Sequence, residues 1–191
     1  LQGAASELHA GASHEMHTDV GPLIDAEAFG GIQSYLDNTH FKHFESLASV
    51  KYAPSAMDSI ANLLPPQLLE ISHIGQMKQE VFGPVLHVMR YSGDPQQVIH
   101  QINALGYGLT LGIQTRIDSR AQQLARSAHI GNVYINRNMI GAVVGVQPFG
   151  GEGLSGTGPK AGGPQYLYRF CGEQTITVNT AAAGGNATLL A

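Results

Sequence analysis

Three stretches of apolar and β-branched residues, 84–91, 109–115 and 132–136, alternate with two amphipathic ones through the middle of the chain. The first amphipathic stretch opens on Asp94-Pro95, where the aspartate can accept from free backbone N–H groups and the proline is preset for the first helical position. Val98, Ile102 and Leu105 then recur on one face, and Gly106 suits the left-handed conformation that closes a helix. The second runs from about Asp118 to His129 and stops at Gly131. Strand, helix, strand, helix, strand implies parallel pairing with the helices as crossovers. The expected fold class is therefore α/β, an open and mostly parallel sheet with flanking helices.

Upstream, residues 26–37 read as a helix, 68–72 as a strand, and Ser55-Ala56-Met57-Asp58 as a capping box opening a short helix. From Asn138 to Pro164 the texture changes to an irregular stretch rich in glycine, and a loop that long inside a compact domain is usually functional. Between Gln174 and Thr180 the run Thr175-Ile176-Thr177-Val178-Asn179 alternates in strand fashion. The tail 181–191 is small and glycine-containing, and poor order is expected there.

Composition narrows the classes. A chain of 191 residues with 43% hydrophobic and 13% charged residues buries one substantial core. Its 10 basic against 14 acidic residues, with no Lys/Arg cluster, argue against nucleic acid as a partner. The lone Cys171 rules out an internal disulfide and a cysteine-based zinc site, and fits a reducing compartment, so the cytosol is expected. No apolar run approaches the roughly 20 residues that span a bilayer, and the start has no signal-peptide pattern. The absence of an initiating Met is read as a sign of a fragment.

Several motifs carry possible chemistry. Gly151-Glu152-Gly153-Leu154-Ser155-Gly156 matches a dinucleotide fingerprint, but the Thr157 to Pro164 run that follows cannot continue as the required helix. Ser155 misses the nucleophile-elbow pattern because Thr157 stands where a glycine is needed. His9, His14 and His17, or His40 and His43, invite a metal reading, but nothing completes a closed site, so no metal is expected. Cys171 has no neighbouring His to generate a thiolate and reads as a small buried hydrophobe. In Glu80-Val81-Phe82-Gly83-Pro84-Val85-Leu86, a carboxylate and an aromatic two residues apart could hold a vicinal diol and cover a flat ring. On spacing alone an ordinary turn before a buried strand accounts for it better.

The motifs together resemble the ordered landmarks of the aldehyde dehydrogenase superfamily: Val20-Gly21-Pro22-Leu23-Ile24-Asp25, Glu80 to Val85, Gly131-Asn132-Val133-Tyr134-Ile135-Asn136-Arg137, Pro148-Phe149-Gly150-Gly151 and Ser155-Gly156. The string from Asn136 to Phe149, with Gly162-Gly163-Pro164 and Thr175 to Thr180, narrows the resemblance to the glutamate-semialdehyde dehydrogenase part of the proline utilization A family. In such enzymes a cysteine thiolate attacks the aldehyde, hydride passes to NAD, and a glutamate-activated water releases the acid. The resemblance implies that Glu80 binds the nicotinamide-ribose hydroxyls and Phe82 packs near the nicotinamide. It further implies that backbone N–H groups at Gly141 and Ala142 hold the substrate α-carboxylate and that Phe149 lines the aldehyde tunnel.

The family nucleophile and water-activating glutamate would precede Leu1, so the resemblance supplies no catalytic residue here and the chain alone is expected to be inactive. It implies a partial catalytic domain over 1–170 and an oligomerisation strand and tail over 171–191, with a homodimer formed through Gln174 to Thr180. FAD would belong to a proline dehydrogenase part upstream, if present. The alternative is a non-catalytic aldehyde-dehydrogenase-like assembly module, which would have no chemical need for Glu80, Phe82, Gly141 and Ala142.

Overall fold

The computed structural model describes residues 1–39, 41–43, 51–52, 60–143 and 145–179. They form two compact units, Leu1–Gly106 with Gln122–Ala128, and Tyr107–Ala121 with the described part of His129–Ala191. The expected capping box at Ser55 to Asp58 and the tail 181–191 lie outside the described residues.

The first unit is organised by the helix Ala26–Asn38, whose N-cap Asp25 accepts a hydrogen bond from the Ala28 N–H at 2.8 Å. Glu27 in its first turn complements the helix dipole. Ile32 and Leu36, one helical turn apart, are buried with Leu64 and Leu69, and Phe29, Tyr35, Val81 and Val85 pack around them. The described residues of the unit also form the strands β1 His9–Ala10, β2 Lys42–His43, β3 Lys51–Tyr52, β4 Gln67–Ile71 and β5 Val85–Met89. Adjacent residues Leu68 and Leu69 of β4 are both buried, as expected of a strand covered on two faces. β4 pairs in parallel with β5, Gln67 opposite Val85 and Ile71 opposite Met89, and antiparallel with β2.

The helix Pro95–Ala104 forms as its start signal implies, with the Asp94 side chain accepting from the Gln96 N–H at 3.0 Å and Pro95 in first position. Gly106 follows with φ +79°, the left-handed conformation that a side chain would strain. The buried residue of this helix is Ile99, with the Val98, Ile102 and Leu105 row only half-buried beside it. Ile99 shares a face with Ile102, so the apolar stripe is centred one position away from the expected row.

The second unit contains β6 Tyr107–Gly108, β7 Thr110–Ile113, β8 Asn132–Ile135 and β9 Glu152–Gly153. β7 and β8 pair in parallel, Thr110 opposite Asn132 and Ile113 opposite Ile135, and the helix Asp118–Ser127 lies between them in the chain. β6 pairs antiparallel with β9. The chain is thus mixed α/β with parallel strand pairs, divided among four small sheets in the described residues. The parallel pairs are β4 with β5 in the first unit and β7 with β8 in the second. Among the described residues no helix is long and apolar enough to cross a membrane.

One polar pair lies against the core of the first unit. Tyr35 Oη and His87 Nε2 are 2.8 Å apart, and Phe41 stands edge-on to the His87 ring at 5.9 Å between centroids. Burial holds the imidazole below its ordinary value of 6.5 and the phenol above its ordinary 10.0. A histidine depressed in the folded state contributes stability above its unfolded value, and loses it as pH falls through the folded value. The His87 contribution is therefore present above pH 6.5 and declines below it, whereas that of Tyr35 is held below pH 10.0 and declines as pH rises through its folded value. Replacing His87→Gln should flatten the drop in melting temperature between about pH 7.5 and about pH 5.5. Parallel melting curves for the two proteins across that window would remove His87 as a source of acid sensitivity.

Candidate functional site

Glu80 and Phe82 stand in a segment anchored by the residues between and after them. Val81 packs inward against the Ile32, Leu36, Leu64 and Leu69 core. Glu80 and Phe82 flank this inward-packed residue. Both are exposed, Phe82 at 79%. Two tight turns follow, with the Gly83 N–H donating to the Val81 carbonyl at 3.0 Å and the Val85 N–H to the Gly83 carbonyl at 2.8 Å. The space a side chain at 83 would need is filled by Ile32 Cδ1 and, at 3.3 Å, by Leu23 Cδ2. Glycine lets this bend sit directly on the helix Ala26–Asn38. A cleft of about 600 Å³, lined in part by Tyr35, Phe41, Lys78 and Gln79, runs up to the same segment.

In the second unit, the turn at 138–142 is held by the Asn138 carboxamide oxygen, which accepts from the Ile140 N–H at 2.8 Å. Gly141 and Ala142 come next, half-buried, and among the described residues their N–H groups donate to no protein acceptor. A Cβ built at Gly141 would meet nothing within 4 Å, so the backbone there is open to close approach.

Phe149 is fixed differently. Its N–H and carbonyl exchange hydrogen bonds of 3.0 Å each with Ala161. The Asn132 side chain at the start of β8 donates to the Pro148 carbonyl at 3.0 Å and accepts from the Gly150 N–H at 3.1 Å. Lys160 Nζ donates to the Gly131 carbonyl. A depression of about 460 Å³ lies alongside, with Pro148, Gly151, Pro159 and Lys160 in its wall.

The aldehyde dehydrogenase family model matches residues 1–176. The chain belongs to the aldehyde dehydrogenase family. It is 51% identical over 175 residues to the bifunctional protein PutA of Klebsiella aerogenes, covering 89% of this chain and 13% of that protein. It is 35% identical over 171 residues to the mitochondrial delta-1-pyrroline-5-carboxylate dehydrogenase of Mus musculus, covering 86% of this chain and 30% of that one. A crystal structure of mutant Bradyrhizobium japonicum proline utilization A superposes with a TM-score of 0.79 at 46% identity, over 95% of this chain and 18% of that chain. The chain thus spans about 13% of the length of the bifunctional relatives it matches.

Glu80 and Phe82 are both exposed in the first unit, and Gly141, Ala142 and Phe149 lie in the second. The glycine fingerprint is not a helix-opening loop. Glu152 and Gly153 form β9, and Ser155 Oγ accepts from the Gly108 N–H at 3.0 Å, a purely structural use. Cys171 is exposed rather than buried, because the short 3-10 segment Tyr166–Phe170 that it terminates buries none of its own residues. Its Sγ donates to the Leu167 carbonyl at 3.5 Å.

Of the histidines, His9 lies 3.5 Å from an Asp19 oxygen and His17 lies 3.3 Å from a Glu15 oxygen. Among the described residues no group of three or more His, Cys, Asp or Glu side chains is placed to hold a metal ion. His40 and the His43 side chain lie outside them. Sequence reasoning passed over Asn132, whose partners Pro148 and Gly150 lie in the glycine loop, and Lys160, which reaches from that loop to the Gly131 carbonyl. An asparagine at the first position of a strand was the available signal, since that residue type commonly bonds to backbone rather than packing.

Proposed function

We propose that this chain is part of an NAD-dependent dehydrogenase that oxidises L-glutamate γ-semialdehyde to glutamate in proline catabolism, in the cytoplasm. One observation carries the reading. The chain that matches the aldehyde dehydrogenase family model over residues 1–176 also matches, at 33–35% identity, relatives named for 1-pyrroline-5-carboxylate dehydrogenase, which supports that dehydrogenase activity for the matched segment.

The chain's own residues suit that role. The Glu80 carboxylate and Phe82 ring, both exposed and two residues apart, have the chemistry to accept from two ribose hydroxyls and to cover a flat ring. NAD, when bound, supplies the hydride acceptor. The unused N–H groups at Gly141 and Ala142 offer an anion anchor for the substrate α-carboxylate. Phe149, with its backbone clamped on both sides, lines the aldehyde's approach. The FAD expectation concerns residues outside this chain. A homodimer through Gln174 to Thr180 belongs to the same proposal. The alternative of a non-catalytic module gains nothing from a carboxylate and ring presented outward together.

The test is steady-state kinetics on the full-length protein carrying Glu80→Gln. Gln keeps the shape but weakens charge-assisted hydrogen bonds, so kcat/KM for NAD should fall by roughly tenfold or more with melting temperature unchanged. In the same assay the 191-residue chain alone should give no turnover, its single cysteine being Cys171. Wild-type NAD kinetics in the Glu80→Gln enzyme would remove this residue from the cofactor site.

A further inference from the structure

The hydrogen bonds around Phe149 converge on the first turn of one strand. Asn132 holds the carbonyl before Phe149 and the N–H after it, at 3.0 and 3.1 Å. The opposite side of the Phe149–Ala161 bridge is tied to the neighbouring residue, Lys160 Nζ donating to the Gly131 carbonyl. Both chain segments of the bridge are thus referenced to Gly131-Asn132, and β8, paired along its length with β7, supplies the rigid base. A side chain whose neighbours are fixed on both sides keeps its ring in one place, whereas a glycine-rich loop such as 150–163 would otherwise let it wander.

We propose that Asn132 is a positioning residue for the aldehyde substrate: its carboxamide fixes the backbone on both sides of Phe149 and so sets where that ring stands. This rests on the reading of Phe149 as a substrate-lining aromatic. Asn132 touches no substrate itself and acts through Phe149. Displacement of a lining group by even an ångström is enough to change how a small aldehyde is held.

The full-length enzyme carrying Asn132→Ala, Asn132→Asp or Phe149→Ala tests it, through KM for the semialdehyde and for NAD and through kcat. Aspartate matches asparagine in size and still accepts from the Gly150 N–H, but it sets a carboxylate oxygen against the Pro148 carbonyl where a donor stood. Both Asn132 variants and Phe149→Ala should raise the semialdehyde KM on the order of tenfold, with the NAD KM unchanged. Loss of correctly folded protein would instead lower kcat for every substrate and leave KM alone. If Asn132→Ala does not fold, the near-isosteric Asn132→Asp decides. A wild-type semialdehyde KM in the Asn132 variants, with a raised one in Phe149→Ala, overturns the positioning role alone. An unchanged KM in Phe149→Ala overturns the reading of Phe149 and this proposal with it.

Discussion

Replacing Gly131→Ala should be the most damaging single change in the second unit. Gly131 is buried, its N–H donates to the Gly108 carbonyl at 2.9 Å, and its carbonyl accepts from Lys160. A Cβ at 131 would run into the Gly150 carbonyl oxygen, with the Gly150 carbonyl carbon at 2.8 Å and Gly151 Cα at 2.9 Å. These are backbone atoms and cannot rotate aside. Relief requires moving the 150–151 segment away from β8, which breaks the Asn132 bonds to Pro148 and Gly150 together. Forced overpacking costs about 1–3 kcal/mol in a core whose side chains can give, so an obstacle made of main chain should reach at least about 3 kcal/mol. That corresponds to roughly 12–24 °C of melting temperature for a unit of about 60–100 residues. Gly172→Ala is the control, exposed and with nothing within 4 Å of the added carbon, and should stay within about 0.5 kcal/mol of wild type. Calorimetry of the full-length protein with limited proteolysis of the glycine loop would measure both. Indistinguishable melting of Gly131→Ala and wild type would mean that the close packing of Gly131 on Gly150 is not a feature of the folded protein.

Gly131 also shows what a sequence reveals and what it hides. Read as the stop of the second helix, it proves not to be one, since that helix finishes at Ser127 and Gly131 has no positive φ, although helix boundaries are in general written locally in the residues beside them. Asp94, Pro95 and Gly106 were legible for that reason, and the helix Ala26–Asn38 and strands β4, β5, β7 and β8 fall within a few residues of their expected bounds. The reason for a glycine at 131 was not legible, since its packing partner is supplied by a distant loop. The same holds for the sheets. Order along the chain implied parallel pairing, which the structure has in β4–β5 and β7–β8, but the choice of partner for each strand depends on tertiary packing. Glu80 and Phe82 were identifiable as a pair from the resemblance, while their exposure on either side of an inward-packed Val81 needed the core to be known. Asn132 was passed over because a side chain's hydrogen bonds to remote backbone leave no periodicity in the sequence.

Removing residues 174–191 from the full-length protein should convert a homodimer to monomers. The argument starts from an excess of uncovered apolar surface. Leu167, Tyr168 and Phe170 are 74%, 72% and 74% exposed, and Ile176 and Val178 are 75% and 70% exposed. Large apolar groups so concentrated at one end of a chain mark a surface that something covers. In this segment Ile176 and Val178 alternate with Thr175 and Thr177, so extended backbone would put both apolar side chains on one face. Residues 172–178 belong to no ladder among the described residues, although β-branched residues favour one. An extended apolar edge of this kind is an aggregation hazard unless it finds a defined partner. Under the proposed function that partner is a second copy, paired through Gln174 to Thr180. The competing account, in which the segment closes a sheet of its own chain, predicts a truncated protein that is less stable yet still dimeric. Sedimentation equilibrium at low micromolar concentration separates them, and Ile176→Asp with Val178→Asp in the untruncated protein repeats the test without deleting backbone. Monomers in both cases, with melting temperature little changed in the double variant, are the expected result. A dimer that survives truncation at nanomolar concentration would show that the subunits are held elsewhere, and the segment would lose its role as the assembly arm.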